Sequence, residues 1–557
     1  MQLWKKSFVI PCALAFLVAL PPELPAHEGD ASEAIQSQRG RVLGSISFPT
    51  SSEVPAVQEA FIQGMLLLHL FEYPYAREEF LRAQELDPDL AMAYWGEAVT
   101  YNHPIWDEQD LAAARDALMK LGPTPEIRVA RTPVAREQGL LAALEQLYGP
   151  GSKAQRDQAY LRSMEQLAAA YPEDHEVQLF YALSLFGARA GVRDTATYML
   201  ATAVAQGVFS ENPQHPGAAH YLIHGVDDPV HAVLGLRAAR ALAQMAPDAG
   251  HAQHMTSHIF VAVGMWDDVV AANEAAVQVA NAMRAEHGGA ARKWGHYNFW
   301  LLYGYLQQGR NDRALALLEA AYAEAQADGK APDDPMILDP DRSLVGSVVQ
   351  MWARYVIETR SWDSDVANWT FNTGDAFDPN LTISFMKAMQ AAFASQVAQA
   401  GQYQAQFRTL MVSLEAEIAR QEEKAPTDLL YLERLRVMDQ ELLAAIKMAR
   451  GEMAKAVESA QEASRLEGAM PFSFGPPFVD LPSAEFLGDL LSASRQHAAA
   501  ADAYQLQLER TRLKPRTLEG LARAQEQLGR ETEARYTRGK LERIRNSAGE
   551  ADGAPSN

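Results

Sequence analysis

The sequence has almost no cysteine: one in 557 residues, Cys12. Lys5 and Lys6 precede an apolar run from Ser7 to Leu20, and Pro21-Pro22-Glu23-Leu24-Pro25-Ala26 follows it. That order of basic, apolar and small-residue segments reads as a secretory signal over residues 1–26, cleaved near Ala26. A membrane-spanning helix needs roughly 20 apolar residues. The run is shorter than that, so no membrane span is expected after cleavage. Cys12 lies too early in it to carry a lipid. The mature chain then holds no cysteine, which excludes disulfides, thiolate zinc sites, iron–sulfur clusters, cysteine nucleophiles and covalent c-type haem. It suits an exported protein, periplasmic or secreted.

Basic charge is also scarce. The chain carries 49 Lys and Arg against 71 Asp and Glu, a net charge of −22, with no local basic stripe. Attraction to nucleic acid or anionic lipid is therefore disfavoured, and no nucleic-acid partner is expected. Stretches alternating with period two are few. No HExxH, phosphate-binding glycine loop, nucleophile elbow or dinucleotide fingerprint occurs, so an enzyme is the less expected reading. Carboxylate pairs such as Glu78-Glu79 and Glu422-Glu423 read as solvated helix faces.

From about Val54 the chain shows apolar residues at helical spacing, abundant alanine, and breaks at Pro, Gly or Asp-Pro. An all-α fold is expected. In the stretch from Val57, the residues Gly64, Leu67, Ala76, Phe80, Ala83 and Pro88 fall at the offsets of a 34-residue helix–turn–helix repeat. Small residues let the two helices approach, Phe80 wedges between them, and Pro88 ends the pair. The pattern resembles the tetratricopeptide repeat. Further copies begin near Ala91, Pro216, Gly250, Gly295, Gly451 and Ala484, whereas residues 122–212 match poorly. One such hairpin cannot bury its own apolar face, so the repeats must stack into a solenoid.

The strings AMAYWGEAVTYNHPIW (91–106), HYLIH (220–224), GHAQHMTSHIF (250–260) and FGPPFVDLPSAEFLGDLL (474–491) resemble a group of exported bacterial tetratricopeptide proteins. That resemblance implies fold and export and carries no activity. The expected organisation is a signal over 1–26, a polar leader over 27–52, and a first array over 53–330 with a histidine-lined groove. An irregular connector over 331–380, a second array over 381–546 and a disordered tail over 547–557 complete it.

Histidine is the chemistry on offer. Of 14 histidines, five form two sets: His220 and His224, then His251, His254 and His258. Spacings of three and four place side chains on one helix face. His220 to His254 and His224 to His258 are each 34 residues, one repeat length, so the two sets occupy matching positions on neighbouring first helices. Rings from helices roughly 8–10 Å apart can meet around one ion at nitrogen–metal distances of roughly 2.0–2.1 Å. His296 opens the next first helix, His69 and His103 are again 34 apart, and these three with Trp106 and Tyr297 would line the same concave groove.

Three readings remain open at this point. The histidines hydrogen-bond across repeats or line a peptide groove, hold a transition metal or haem, or sense pH. Nitrogen donors without thiolate favour copper, zinc, nickel or iron. Asp227 and Asp228 are either orienting acceptors for an imidazole or turn residues beside Pro229. His27, N-terminal after cleavage, could chelate copper. The functional expectation is an exported scaffold that binds a protein, peptide or small ligand, with a candidate metal site on its concave wall. The alternative is a metalloprotein for metal handling or for redox or hydrolytic catalysis.

Overall fold

The computed structural model describes residues 41–189 and 192–553, with side chains through 546. Cys12, His27 and the signal segment lie outside the described residues. Within them the chain forms twenty-four α-helices and one two-stranded antiparallel hairpin, Asn102–His103 with Glu108–Gln109. No helix among the described residues is long and apolar enough to cross a membrane. The fold is an all-α solenoid of antiparallel helix pairs.

The repeat rests on one packing device. A Cβ on Gly64 or Gly96 would stand 2.8 Å and 2.4 Å from the Phe80 ring. At the far end Gly488 and Gly520 close on Tyr504 in the same way, at 2.6 Å and 2.5 Å. In both places an aromatic from a second helix is clamped between the first helices of its own and the following repeat, and only glycine leaves room for it. The poorly matching stretch obeys the same geometry without the consensus residues. Its helices Ala135–Leu147, Lys153–Ala170, His175–Gly187 and Thr195–Glu211 pack as successive antiparallel neighbours. The copy that begins near Ala91 is interrupted at Pro104 by the β-hairpin.

Three boundaries differ from the sequence reading. The end of the polar leader is packed: Phe48 is buried against Phe61 at 5.1 Å between ring centroids, and the Ser45 amide donates to Gln214 O at 2.9 Å. The connector over 331–380 contains a helix, Leu344–Thr359, whose Val348, Val349, Trp352 and Val356 are buried between the helices on either side. The last helix, Glu531–Gly553, continues past residue 546.

The concave side is filled rather than open. Trp266 Nε1 donates to Leu513 O at 3.0 Å, so C-terminal repeats return to the N-terminal ones. The FGPPF loop inserts between them. Phe474 stacks on His258 at 4.9 Å, and the backbone at Gly475, held at φ +89°, lies so close to Trp300 that a Cβ would stand 2.1 Å from its ring. This loop is a plug. It seals the face that was expected to be a groove wall.

Candidate metal centre

Three consecutive first helices carry the site: Pro216–Val226 with His220 and His224, Gly250–Val263 with His251, His254 and His258, and the helix that opens at His296, His296–Gln308. The first starts cleanly because His215 caps it and Pro216 occupies its first turn. His220, His224, His251, His254 and His258 are all buried, His296 partly. They therefore do not line an open groove: the helices of the solenoid, together with Phe474, close over them.

The register expectation holds for His224 and His258, whose ring centroids are 5.5 Å apart, and fails for the other rings. His220 faces His251 at 5.1 Å rather than His254, and His254 faces His296 at 4.5 Å. The result is two groups of three, His220, His224, His251 and His254, His258, His296, each with donor atoms within 4.8 Å of one another.

In the first trio every ring turns its Nδ1 to an oxygen. His220 Nδ1 donates to His69 O at 2.7 Å, a carbonyl left free because the helix Pro55–His69 ends there. His224 Nδ1 lies 3.5 Å from Asp227 Oδ2, and His251 Nδ1 lies 3.3 Å from the Tyr297 hydroxyl oxygen. A carbonyl or carboxylate oxygen can only accept, so Nδ1 carries the proton in His220 and His224, and the Tyr297 oxygen can accept in the same way. That leaves the lone pair on Nε2 of His220 and His224, and on Nε2 of His251 when the Tyr297 oxygen accepts. All three Nε2 atoms are buried and have no hydrogen-bond partner among the described residues. Phe71, strained at φ +56°, walls this space, with its ring 4.3 Å from His220, 5.8 Å from His224 and 5.7 Å from His251.

In the second trio His254 Nδ1 faces Asn273 Oδ1 at 2.8 Å, His258 Nδ1 faces Asp227 Oδ2 at 2.9 Å, and His296 Nδ1 faces Asp341 Oδ2 at 2.6 Å. Asp227 therefore reaches one ring of each trio through a single carboxylate oxygen, while its other oxygen pairs with Arg193 at 2.6 Å. Its place is orientation of imidazoles, and Asp228 is the turn residue, accepting from the amides of Val230 and His231.

Electrostatics favour the neutral ring at His220, His251, His254 and His258 and the charged ring at His296. Burial, reinforced by neighbouring rings, pushes His220, His251 and His254 well below the ordinary histidine range, and burial brings His258 down to about 4 despite Asp227. Burial works against His296 as well, but Asp341 raises it. Burial alone would raise Asp227, yet Arg193 with His224 and His258 holds it far below the carboxylate range.

The remaining expected residues fall elsewhere. His69 is fully buried and belongs to a separate network: Nε2 to Glu176 Oε2 at 2.6 Å and Nδ1 to Tyr221 at 2.9 Å, with His215 on the other Glu176 oxygen at 3.1 Å. Both ring nitrogens of His69 are engaged, so it supports the site through its carbonyl and does not line a groove. His103 stacks on Tyr73 at 4.1 Å and spends its nitrogens on Glu108 and the Thr100 carbonyl, both at 3.2 Å. It joins neither trio. Trp106 and Tyr297 border a cavity of about 290 Å³ into which His251 and His296 also face. Sequence spacing does not mark Asn273, Asp341, Arg193, Phe71 or Phe474 as site residues; only Phe474 lies in one of the resembling strings, 474–491.

No family model and no curated protein matches the chain. Solved helical-repeat structures align over most of its length: the APC/C heterotetramer Cut9–Hcn1 at 11% identity over 88% of this chain and 76% of that one, with a TM-score of 0.34. Yeast Tom70 aligns at 11% identity over 81% and 92%, TM-score 0.34, and the P58(IPK) TPR domain at 12% over 85% and 98%, TM-score 0.20. Superposition is loose at these scores, and the repeat architecture rests on the packing described above.

Proposed function

We propose that the protein is a transition-metal-binding solenoid in which His220, His224 and His251 hold an ion through their Nε2 atoms. One observation carries this: the three buried Nε2 atoms have no hydrogen-bond partner among the described residues, and the three rings bring donor nitrogens within 4.8 Å of one another. Leaving a buried acceptor unmade costs roughly 1–3 kcal/mol each, and three converging on one another is the arrangement an ion relieves. The donor set is all nitrogen, which fits copper(II), zinc, nickel or iron. A haem would need a slot between opposed rings. Here the rings adjoin one another and Phe71 fills the remaining side, so an ion fits and a macrocycle does not. His251 also borders the cavity of about 290 Å³. If residues 1–26 are a cleaved signal, loading occurs outside the cytoplasm, where a site without thiolates escapes oxidation.

The test is elemental analysis of the purified chain after dialysis against copper(II) or zinc(II) and desalting. Wild type is expected to retain metal stoichiometrically, and His220→Ala/His251→Ala is expected to lose that ion. Wild type that elutes metal-free rejects the reading. A scaffold role keeps one observation in its favour: Val230, Val233 and Leu234 stand 56–64% exposed together beside the first histidine helix. If wild type is metal-free, substitution of those three that abolishes capture of a protein partner would support this second reading.

A further inference from the structure

The second trio carries an inference that rests on the reading above and extends it. His254 Nε2 and His258 Nε2 stand 3.1 Å apart. Neither ring is free to rotate its proton into that gap. Asn273 Nδ2 donates to Val269 O at 2.8 Å, which turns Oδ1 toward His254 and commits His254 Nδ1 as the donor. The Asp227 carboxylate commits His258 Nδ1 likewise. Two neutral rings fixed in this way aim lone pair at lone pair. His296, with Nδ1 donating to Asp341, brings a third ring within the same group, donor nitrogens within 4.8 Å of one another.

We propose that His254, His258 and His296 bind a second transition ion beside the first, so that the centre is dinuclear with three histidines per ion. Two nitrogens each about 2.0–2.1 Å from one ion at angles between square and tetrahedral stand about 2.9–3.4 Å apart, and the observed separation falls inside that range. The two sites adjoin: His224 and His258 have ring centroids 5.5 Å apart, His251 and His254 6.0 Å, and Asp227 Oδ2 contacts one ring of each trio. His251 from one site and His296 from the other border the same cavity. The ligand class is borderline divalent metal, copper(II) or zinc(II), suited to nitrogen donors.

Copper(II) titration of the full chain, read by bound metal and by electron paramagnetic resonance, tests this. Wild type is expected to take two ions per chain and to show a spin-coupled pair, by a half-field transition or by lost signal intensity. His296→Ala, at a half-buried helix start that should tolerate truncation, is expected to take one ion with an uncoupled signal. His220→Ala/His251→Ala should likewise fall to one. Wild type that binds one ion, lost in His220→Ala/His251→Ala and kept in His296→Ala, overturns the second site and leaves the first standing. One ion with the reverse pattern, or none at all, overturns the pair together with the function proposed above.

Discussion

Replacing Asp227 by asparagine keeps the volume of the side chain and removes its charge at the one point both trios share. In the native site Oδ2 accepts from His258 Nδ1 at 2.9 Å and approaches His224 Nδ1 at 3.5 Å, while Oδ1 pairs with Arg193 at 2.6 Å. The amide must present its NH2 to one side. Facing the histidines, it sets donor against donor and drives the rings to the tautomer with hydrogen on Nε2, which blocks coordination. Facing Arg193, it sets donor against cation, leaving that guanidinium only Asp228 at 3.4 Å. Loss of an acceptor behind a metal-bound histidine costs roughly 10–100-fold in affinity, or about 1.4–2.7 kcal/mol. The shorter contact to His258 places the larger share of the loss on the second trio and the smaller on the first. Chelator competition with copper(II) measures it, with Trp300 fluorescence as a local reporter, since that indole stacks on His258 at 4.6 Å. Affinity within twofold of wild type, with an unchanged unfolding midpoint, would refute the orienting role of Asp227.

Metal-free protein is expected to lose stability on acidification. Histidine protonates near 6.5 when unfolded, whereas burial holds His258 to about 4 in the native state. The unfolded chain therefore binds the extra proton between those values, and up to about 3 kcal/mol present above pH 6.5 is lost as pH falls through 4. Urea midpoints at pH 7 and pH 5 measure this, and a flat profile contradicts it. Gly96→Ala drives a Cβ to 2.4 Å from Phe80 and is expected to destabilise by about 1–3 kcal/mol, seen as a lower thermal midpoint. An unchanged midpoint would remove the glycine clamp as the basis of the repeat. His103→Ala is expected to leave bound metal unchanged, because His103 contacts Tyr73, Glu108 and Thr100 and belongs to neither trio. Metal loss in that variant would mean that the trios are wrongly drawn.

Much of the fold is legible in local sequence because it depends on local sequence. Gly64, Ala76, Phe80 and Ala83 reveal a helix pair through spacing alone, and the equal intervals between His220, His224, His254 and His258 reveal neighbouring helices. Which rings meet depends on inter-repeat packing, which no single repeat encodes. The register therefore pairs His220 with His254, and the structure pairs it with His251. Burial was hidden for a different reason. The groups that orient or cover the rings come from distant segments: Phe71 from a turn after the first helix, Asp341 from the connector, and Phe474 from the loop between later repeats. Asn273 was hidden by its setting, one polar residue on an alanine-rich second helix.

The account stands on an ion bound among His220, His224 and His251. Crystals of the copper-loaded protein, measured on either side of the copper absorption edge, locate that ion directly. The expected result is an anomalous peak about 2.0–2.1 Å from each of the three Nε2 atoms. Absence of anomalous density there, with those nitrogens hydrogen-bonded to water or to one another, would contradict it.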